Sequence, residues 1–591
     1  MISNYVNHEY TSWYRQPVAG DSLKLRLKTD KEVKRVLVYF DSRFKPQPFP
    51  AEKKSMNFIG GCKNFNYFQN TIKVEDSRFL YCFKLFARDS QPAWYTEQGF
   101  SRSINNLEHN DYFHYPYIGR GKVPEYPEWI TGAVVYQIFP ERFARGGSGT
   151  HKFSLDEWGG KPRRNSFFGG DLQGIIDKFD YLNDLGIEAI YLTPIFKSPS
   201  NHKYNIDDYY QIDDNFGDIS IAKKLVDKAH DNDIKIIIDG VFNHTGDGFF
   251  AFQDLLEKGQ DSNYEDWYHI NSYPVTKSKV NYETFGTKVR SMPRLNLYNN
   301  EAREYFLKVI EYWTENLNID GWRMDVADEV PEEFWRRTRK LIKEIDPECY
   351  LVGEVWYNSA PWLGGEQFDG VMNYRPRQLI LDLLANGRIS VQEFSARIQK
   401  QIFNHPPGSL LRSLNMLDSH DTSRIAHNFR YFPDNKKKKL LKQSIALQFA
   451  LPGMPLIFYG DEIGLEGGED PDCRRCMVWD EKLQDRELLN FYQRLISFYR
   501  DNPALKSGSY REIKAVDIKQ LLVFARVAEF DKCVTFANTS SANIKIRQEF
   551  LTNKENIFNK QNNYFSLLGK YYEFNGGEFI LPANEVLFVD Y

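Results

Sequence analysis

Arg323 and Asp325 stand two places apart in the apolar stretch NIDGWRMDVADEV, residues 318–330. Side chains two apart on a strand project to one face, so the pair is expected side by side, with Trp322, Met324 and Val326 opposite. An ion pair taken out of water is weak evidence of stability. It is either a structural salt bridge or a carboxylate kept ionised by a cation so that it can attack. Similar polar and charged groups close other apolar runs: Asp239, Asn243 and His244 in KIIIDGVFNH, Glu354 in LVGEVW, and Asp418, His420 and Asp421 in LNMLDSHD. A set this rich is poorly explained as isolated salt bridges.

The elements that would position these groups follow a regular rhythm. From Val134, short apolar runs (VVYQI, EAIYLTPI, KIIIDGVF, GWRMDV, YLVGEVW, DGVMNY, LRSLNMLD, PLIFYGDE) mostly alternate with amphipathic helical stretches. Eight such strands predict an α/β chain with a parallel (β/α)8 TIM barrel, in which catalytic groups gather at the C-terminal ends of the strands. An irregular aromatic segment, about 245–298, reads as a subdomain inserted after the third strand. Residues 1–125 alternate like strands (LKLRLKT, RVLVYF, FLYCFKLFAR) and predict an N-terminal β-sandwich. YIGRGKVPEYPEW reads as a linker, 126–504 as the catalytic barrel, and 505–591 as a C-terminal β-sandwich containing an exposed hairpin at NKENIFNKQNNYF.

Composition removes several classes. Lys+Arg 76 against Asp+Glu 80 gives net −4, no footprint for nucleic acid. The run Lys436–Lys439 opens a helical segment and reads as a solvated face. The chain shows no signal pattern and no apolar run near the ~18 residues of a membrane span, so no membrane partner and a cytoplasmic location are expected. Six scattered cysteines fit a reducing compartment, and Cys473 and Cys476 lack the further ligands of a zinc set. Aromatic residues at 15% suit a protein that stacks rings on flat ligand faces.

Carboxylates without a thiol or serine nucleophile argue against acyl transfer, and a metal hydrolase would want a tighter ligand cluster. Two carboxyls flanking an acetal are what glycoside hydrolysis requires. On this reading Arg323 lowers the pKa of Asp325 and keeps it ionised. Glu354, among apolar neighbours, is raised and serves as the acid.

The chain resembles the α-amylase family, glycoside hydrolase family 13, through four motifs in order: DGVFNH (239–244), GWRMDVADE (321–329), GEVW (353–356) and LDSHD (417–421). The resemblance implies Asp325 as nucleophile, Glu354 as acid/base and Asp421 as transition-state stabiliser. It also implies Arg323, His244 and His420 as ligands of the sugar, with Tyr204 of NHKYNIDDYY as its stacking platform. Retaining cleavage of α-glucosidic bonds would follow, with the two reacting carboxyls about 5–5.5 Å apart.

MPRLN (292–296), VVYQIFPERF, FFGGDLQGI and GGEDPDCRRCMVW are similar to the group holding neopullulanase, cyclomaltodextrinase and maltogenic amylase. That likeness implies Asp470 and Arg474 as sugar ligands, Phe285 and Trp356 as aromatics touching cyclic substrates, and α-glucan oligosaccharides and cyclodextrins as substrates. It further implies a starch-binding-like N-terminal module and a homodimer formed through it. The chain departs from the group at Asp328, where Asn is usual, and at Tyr357, where His is usual. Its loop ARGGSGTHKF lacks the usual calcium-binding Asn and Asp and leaves only Asp171 nearby, so no metal and no required cofactor are expected. Rival readings are an oligo-1,6-glucosidase or glucan transferase of the same family, a general α-amylase, and a silent glycan-binding scaffold. The scaffold would need a missing catalytic carboxylate, and none is missing.

Overall fold

The structure, a computed structural model, describes the 591-residue chain apart from residues 1–4, 45–51, 62–63, 76, 89, 119–122, 287, 548–563, 568, 570–577 and 591. Most of the expected hairpin at NKENIFNKQNNYF, and the Gly-rich centre of the expected linker, lie outside the described residues. The chain forms two compact units.

The first comprises residues 1–125 with 363–365 and 391–410. A five-stranded and a six-stranded sheet supply its faces. Ser22–Asp30 pairs antiparallel with Phe65–Lys73, and Val33–Ser42 with Phe79–Ala87. Leu23, Leu25 and Leu27 enter a core with Val36, Val38, Phe68 and Phe83, as period-two alternation requires. Arg26 breaks the outward-polar half of the pattern, because it too is buried. Its Nη1 donates to the carbonyls of Phe403 and His405 at 2.8 and 2.9 Å, at the end of helix Val391–Phe403. Alternation alone cannot foresee that cover, since the helix lies far along the chain.

The second unit holds the barrel and the C-terminal strands. Eight parallel strands close in sequence order: Val135–Ile138, Ala189–Leu192, Lys235–Gly240, Gly321–Met324, Tyr350–Gly353, Gly370–Asn373, Leu414–Met416 and Met454–Phe458. They are buried on both faces, which explains their near-continuous apolar runs. Val135, Tyr191, Ile237, Val352, Met372, Leu414 and Leu456 share the interior. Outside the ring lie helices such as Glu332–Ile345, which starts with Glu332 and Glu333 in its first turn and buries Phe334, Trp335, Thr338, Arg339 and Ile342.

The segment inserted after the third strand contains helix Phe250–Lys258, short turns and bridges such as Thr284 to Pro293. It is cemented by aromatic contacts, among them Phe250 with Trp267 and Phe252 with Tyr268. Past the barrel, a five-stranded sheet and the pair Ile544–Arg547 with Glu578–Leu581 enclose a core that includes Leu521, Phe536, Phe579 and Leu587. Lys436–Lys439 fall in helix Asp434–Ala450, where Lys437 and Lys438 pair with Glu466 and Asp485.

Candidate active site

Arg323, third residue of the fourth strand, is fully buried and serves three carboxylates at once. Its Nη1 lies 2.7 Å from Asp325 Oδ1 and 2.9 Å from Asp239 Oδ1, and its Nη2 lies 2.9 Å from Glu354 Oε1. The expected Arg323–Asp325 neighbour contact is present. The expected alternation stops there, because the strand ends at Met324 and Val326 takes φ +46°, a left-handed conformation costly for a β-branched residue. That turn aims Val326 N–H at Glu354 Oε2 (2.9 Å) and Ala327 N–H at the Glu354 carbonyl (3.1 Å). Local strain thereby ties the loop after the fourth strand to the loop after the fifth.

The electrostatics reverse one expectation. Burial pushes the Asp325 carboxyl well above its usual range, with Glu354 and Asp239 adding to the rise and Arg323 opposing it. Asp239 is raised by burial as well. A lowered pKa for Asp325 assumed a private cation. One guanidinium divided among three carboxyls does not offset the loss of water at Asp325 and the repulsion from its neighbours.

His420 is neutral, since burial drives its pKa far down and Arg474 and Arg323 add to the effect. The Gln137 side-chain amide donates to His420 Nδ1 at 2.8 Å. The ring proton therefore sits on Nε2, which donates to Tyr204 Oη at 2.6 Å and faces Asp421 Oδ2 at 3.0 Å. Tyr204 passes its own hydroxyl proton toward Asp239 Oδ2 at 2.8 Å, where Tyr191 also donates at 2.6 Å. Arg474 donates to Asp421 Oδ1 at 3.0 Å and pairs with Asp470 at 2.9 Å. His244, held neutral by burial with its pKa down to about 4, has an Nε2 without a partner among the described residues. Its ring lies 5.0 Å from Phe285 of the inserted segment. Trp356 stacks on Tyr374 at 3.9 Å and 15°, and its indole N–H donates to Glu354 Oε1 at 3.1 Å.

A cleft of about 920 Å³ opens over this floor. Asp325, Glu354, Asp421, Tyr204, His244, Phe285, Trp356, Asp470 and Arg474 line it, whereas Arg323 and His420 lie beneath, fully buried. Sequence reasoning missed the support residues Gln137, Tyr191 and Tyr374. The legible signal was a polar atom inside an apolar strand, as in VVYQI and AIYL. It also missed His202 on the cleft wall, two residues before Tyr204 and stacked near it.

The residues near Asp171 do not fit a calcium ion. Asp171 Oδ1 accepts Gly146 N–H (2.9 Å) and Gly174 N–H (2.7 Å), and Oδ2 accepts those of Ser148 (2.9 Å) and Gly149 (3.3 Å). The loop is also closed tight: a Cβ on Gly146 would come within 2.2 Å of Gly174 N, and one on Gly149 within 2.0 Å of Asn215 O. Backbone amides satisfy this carboxylate where a hard cation would need six or more oxygens. A chelator should leave the melting temperature unchanged, and a clear fall would reveal a stabilising cation.

A closed parallel barrel with carboxyls, histidines and arginine converging at one rim is the architecture of a barrel-type glycoside hydrolase. The profile described as "Alpha amylase, catalytic domain" matches residues 137–508, and "Alpha amylase, N-terminal ig-like domain" matches residues 1–119. The chain is 42% identical to a cyclomaltodextrinase of Thermoanaerobacter pseudethanolicus, over 94% of this chain and 96% of the relative. It is 40% identical to neopullulanase 2 of Thermoactinomyces vulgaris, over 90% of each. A solved cyclomaltodextrinase structure superposes with a TM-score of 0.90 at 34% identity, covering 100% of both chains. The chain belongs to the α-amylase family, as a glycoside hydrolase of the cyclomaltodextrinase and neopullulanase type.

Proposed function

We propose that the enzyme hydrolyses α-1,4-glucosidic bonds of cyclodextrins, maltooligosaccharides and pullulan with retention, with α-1,6 cleavage and transglycosylation as accompanying reactions. The observation that carries this is the single buried guanidinium joining Asp325 to Glu354 at the ends of adjacent strands. Asp325 Oδ attacks C1 while Glu354 gives its proton to the departing oxygen. Water then attacks C1, Glu354 takes the water's proton, and Asp325 leaves. The reaction needs the proton on Glu354 and the charge on Asp325 when sugar is in place. Asp421 stabilises the transition state. Tyr204 supplies a flat face to the cleaved unit, His244 Nε2 a hydroxyl contact, and Asp470 with Arg474 a clamp on the neighbouring unit. Phe285 and Trp356 meet the apolar faces of a cyclic substrate.

Names of relatives support the substrate class, since cyclomaltodextrinases of several bacteria and a maltogenic α-amylase of Bacillus acidopullulyticus are among them. A cytoplasmic location is part of the proposal, supported by a 36% identical Bacillus subtilis relative named intracellular maltogenic amylase. No helix among the described residues is long and apolar enough to cross a membrane. A homodimer through the N-terminal domain completes it.

The test compares initial rates on β-cyclodextrin and soluble starch at equal mass, alongside sedimentation. Faster attack on the ring by a dimer, giving maltose and glucose, supports the proposal. Faster attack on starch by a monomer moves the assignment to a general α-amylase.

A further inference from the structure

Asp328 and Tyr357, the two departures from the group's usual residues, meet in space although 29 positions apart: the Tyr357 hydroxyl donates to Asp328 Oδ2. Both line the cleft. The loops that carry them are already joined, through the Val326 and Ala327 amides on Glu354. Trp335 Nε1 donates to the Ala327 carbonyl at 2.8 Å, and Arg294 donates to that of Glu329 at 3.0 Å. The two loops are therefore tied together by backbone contacts, and the phenol–carboxylate hydrogen bond links them again at the exposed Tyr357. The Tyr357 ring itself is 69% exposed, with Trp356 beside it 47% exposed. An aromatic ring tethered at its hydroxyl, with its faces left to solvent, is a stacking surface rather than a packed core residue.

Its place relative to the reacting groups states what would stack there. Asp421, Arg474 and Asp470 form one connected side of the cleft. Glu354, which must reach the glycosidic oxygen, carries Trp356 and Tyr357 two and three residues on. A unit beyond Glu354 is the one that leaves with the cleaved oxygen, or the one that arrives to accept the glycosyl group.

We propose that Tyr357, hydrogen-bonded to Asp328, is a platform for the α-glucosyl unit of a leaving or accepting oligosaccharide and raises transfer to sugar over transfer to water. The inference rests on the retaining glucosidase reading above. In the step concerned, an acceptor hydroxyl attacks C1 of the Asp325-bound sugar. Its proton goes to the Glu354 carboxylate, and the bond from C1 to Asp325 breaks, restoring the free carboxylate. Asp328 contributes an acceptor-only oxygen where the group's usual Asn would also offer N–H donors, so its natural partner is a hydroxyl, here the phenol.

The experiment follows maltosyl fluoride turnover with methyl α-glucoside as acceptor, separating transfer product, maltose and fluoride. Tyr357→Ala is expected to lower the transfer-to-hydrolysis ratio about five- to tenfold and to raise the acceptor concentration giving half-maximal transfer, the size of one lost sugar–ring stack. Tyr357→Phe keeps the ring and loses the tether, so its drop should be about two- to threefold. Asp328→Ala should match it, and the Tyr357→Phe/Asp328→Ala double variant should be no worse than either alone. Equal ratios in wild type and Tyr357→Ala overturn the platform. Additive effects of the two tether variants overturn the pairing. Equal loss in Tyr357→Ala and Tyr357→Phe, with a lowered melting temperature in both, shows a loop brace and overturns the sugar contact. Failure of the underlying reading looks different: wild type would then release fluoride without any product of retained configuration.

Discussion

Glu354→Gln is expected to cut hydrolysis of maltotriose and β-cyclodextrin by about 10²–10⁴-fold while leaving binding in place, because the departing oxygen loses its proton donor and water its base. The amide keeps the shape, and its single oxygen can still accept from the Trp356 indole at the Oε1 position, while the Val326 N–H at the other position loses its acceptor. The first half-reaction on maltosyl fluoride needs no acid and should survive far better. Azide should then release the sugar as the α-azide, since it attacks the Asp325-bound intermediate without help from a base. The pH profile supplies a separate check. Activity requires Asp325 ionised, and burial plus the Glu354 charge raise its pKa. Removing that charge moves the acid limb of kcat/KM on maltosyl fluoride to lower pH. Near-normal hydrolysis of maltotriose, or an acid limb moving upward, would remove Glu354 from its assigned role.

Asp325→Asn is expected to lose on the order of 10⁴-fold or more on every substrate, activated or not, because no group remains to form the glycosyl ester. The same change should raise thermal stability at neutral pH. A carboxyl that holds its proton more tightly folded than unfolded costs nothing below its unfolded pKa, 3.8 here, and costs progressively more as pH rises toward the folded value. Replacing it with a neutral amide relieves that cost and leaves Arg323 with Asp239 and Glu354. A gain of ~1 kcal/mol at pH 7, shrinking to nothing near pH 3, is the expected size. A lower melting temperature at pH 7 would show that the Arg323 pairing outweighs burial. Asp325→Gly with azide should give the β-azide, by direct attack on substrate. The opposite configurations from the two variants assign the two roles independently.

Much of the architecture is legible in the sequence. Barrel strands buried on both faces must be apolar nearly throughout, so each motif could be set at a strand end by its own neighbours. Asp239, Arg323, Asp325, Glu354, His420 and Asp421 all emerged in that way. The sandwich strands were equally legible from period-two alternation, except at Arg26, whose covering helix comes more than 360 residues later. Gln137 and Tyr191 went unread because nothing in VVYQI or AIYL tells which polar atom will face a histidine or an aspartate across the barrel.

The sequence by itself determined the family, the eight-strand order, and which carboxyls and histidines reach the rim, because these follow from local period and short motifs. Tertiary structure alone decided that three carboxyls divide one guanidinium, which turns the Asp325 pKa upward, and that four amides surround Asp171 where a cation was in question. It alone also brought Tyr357 to Asp328. Burial, charge sharing and donor geometry are sums over groups distant in the chain, and no local pattern contains them.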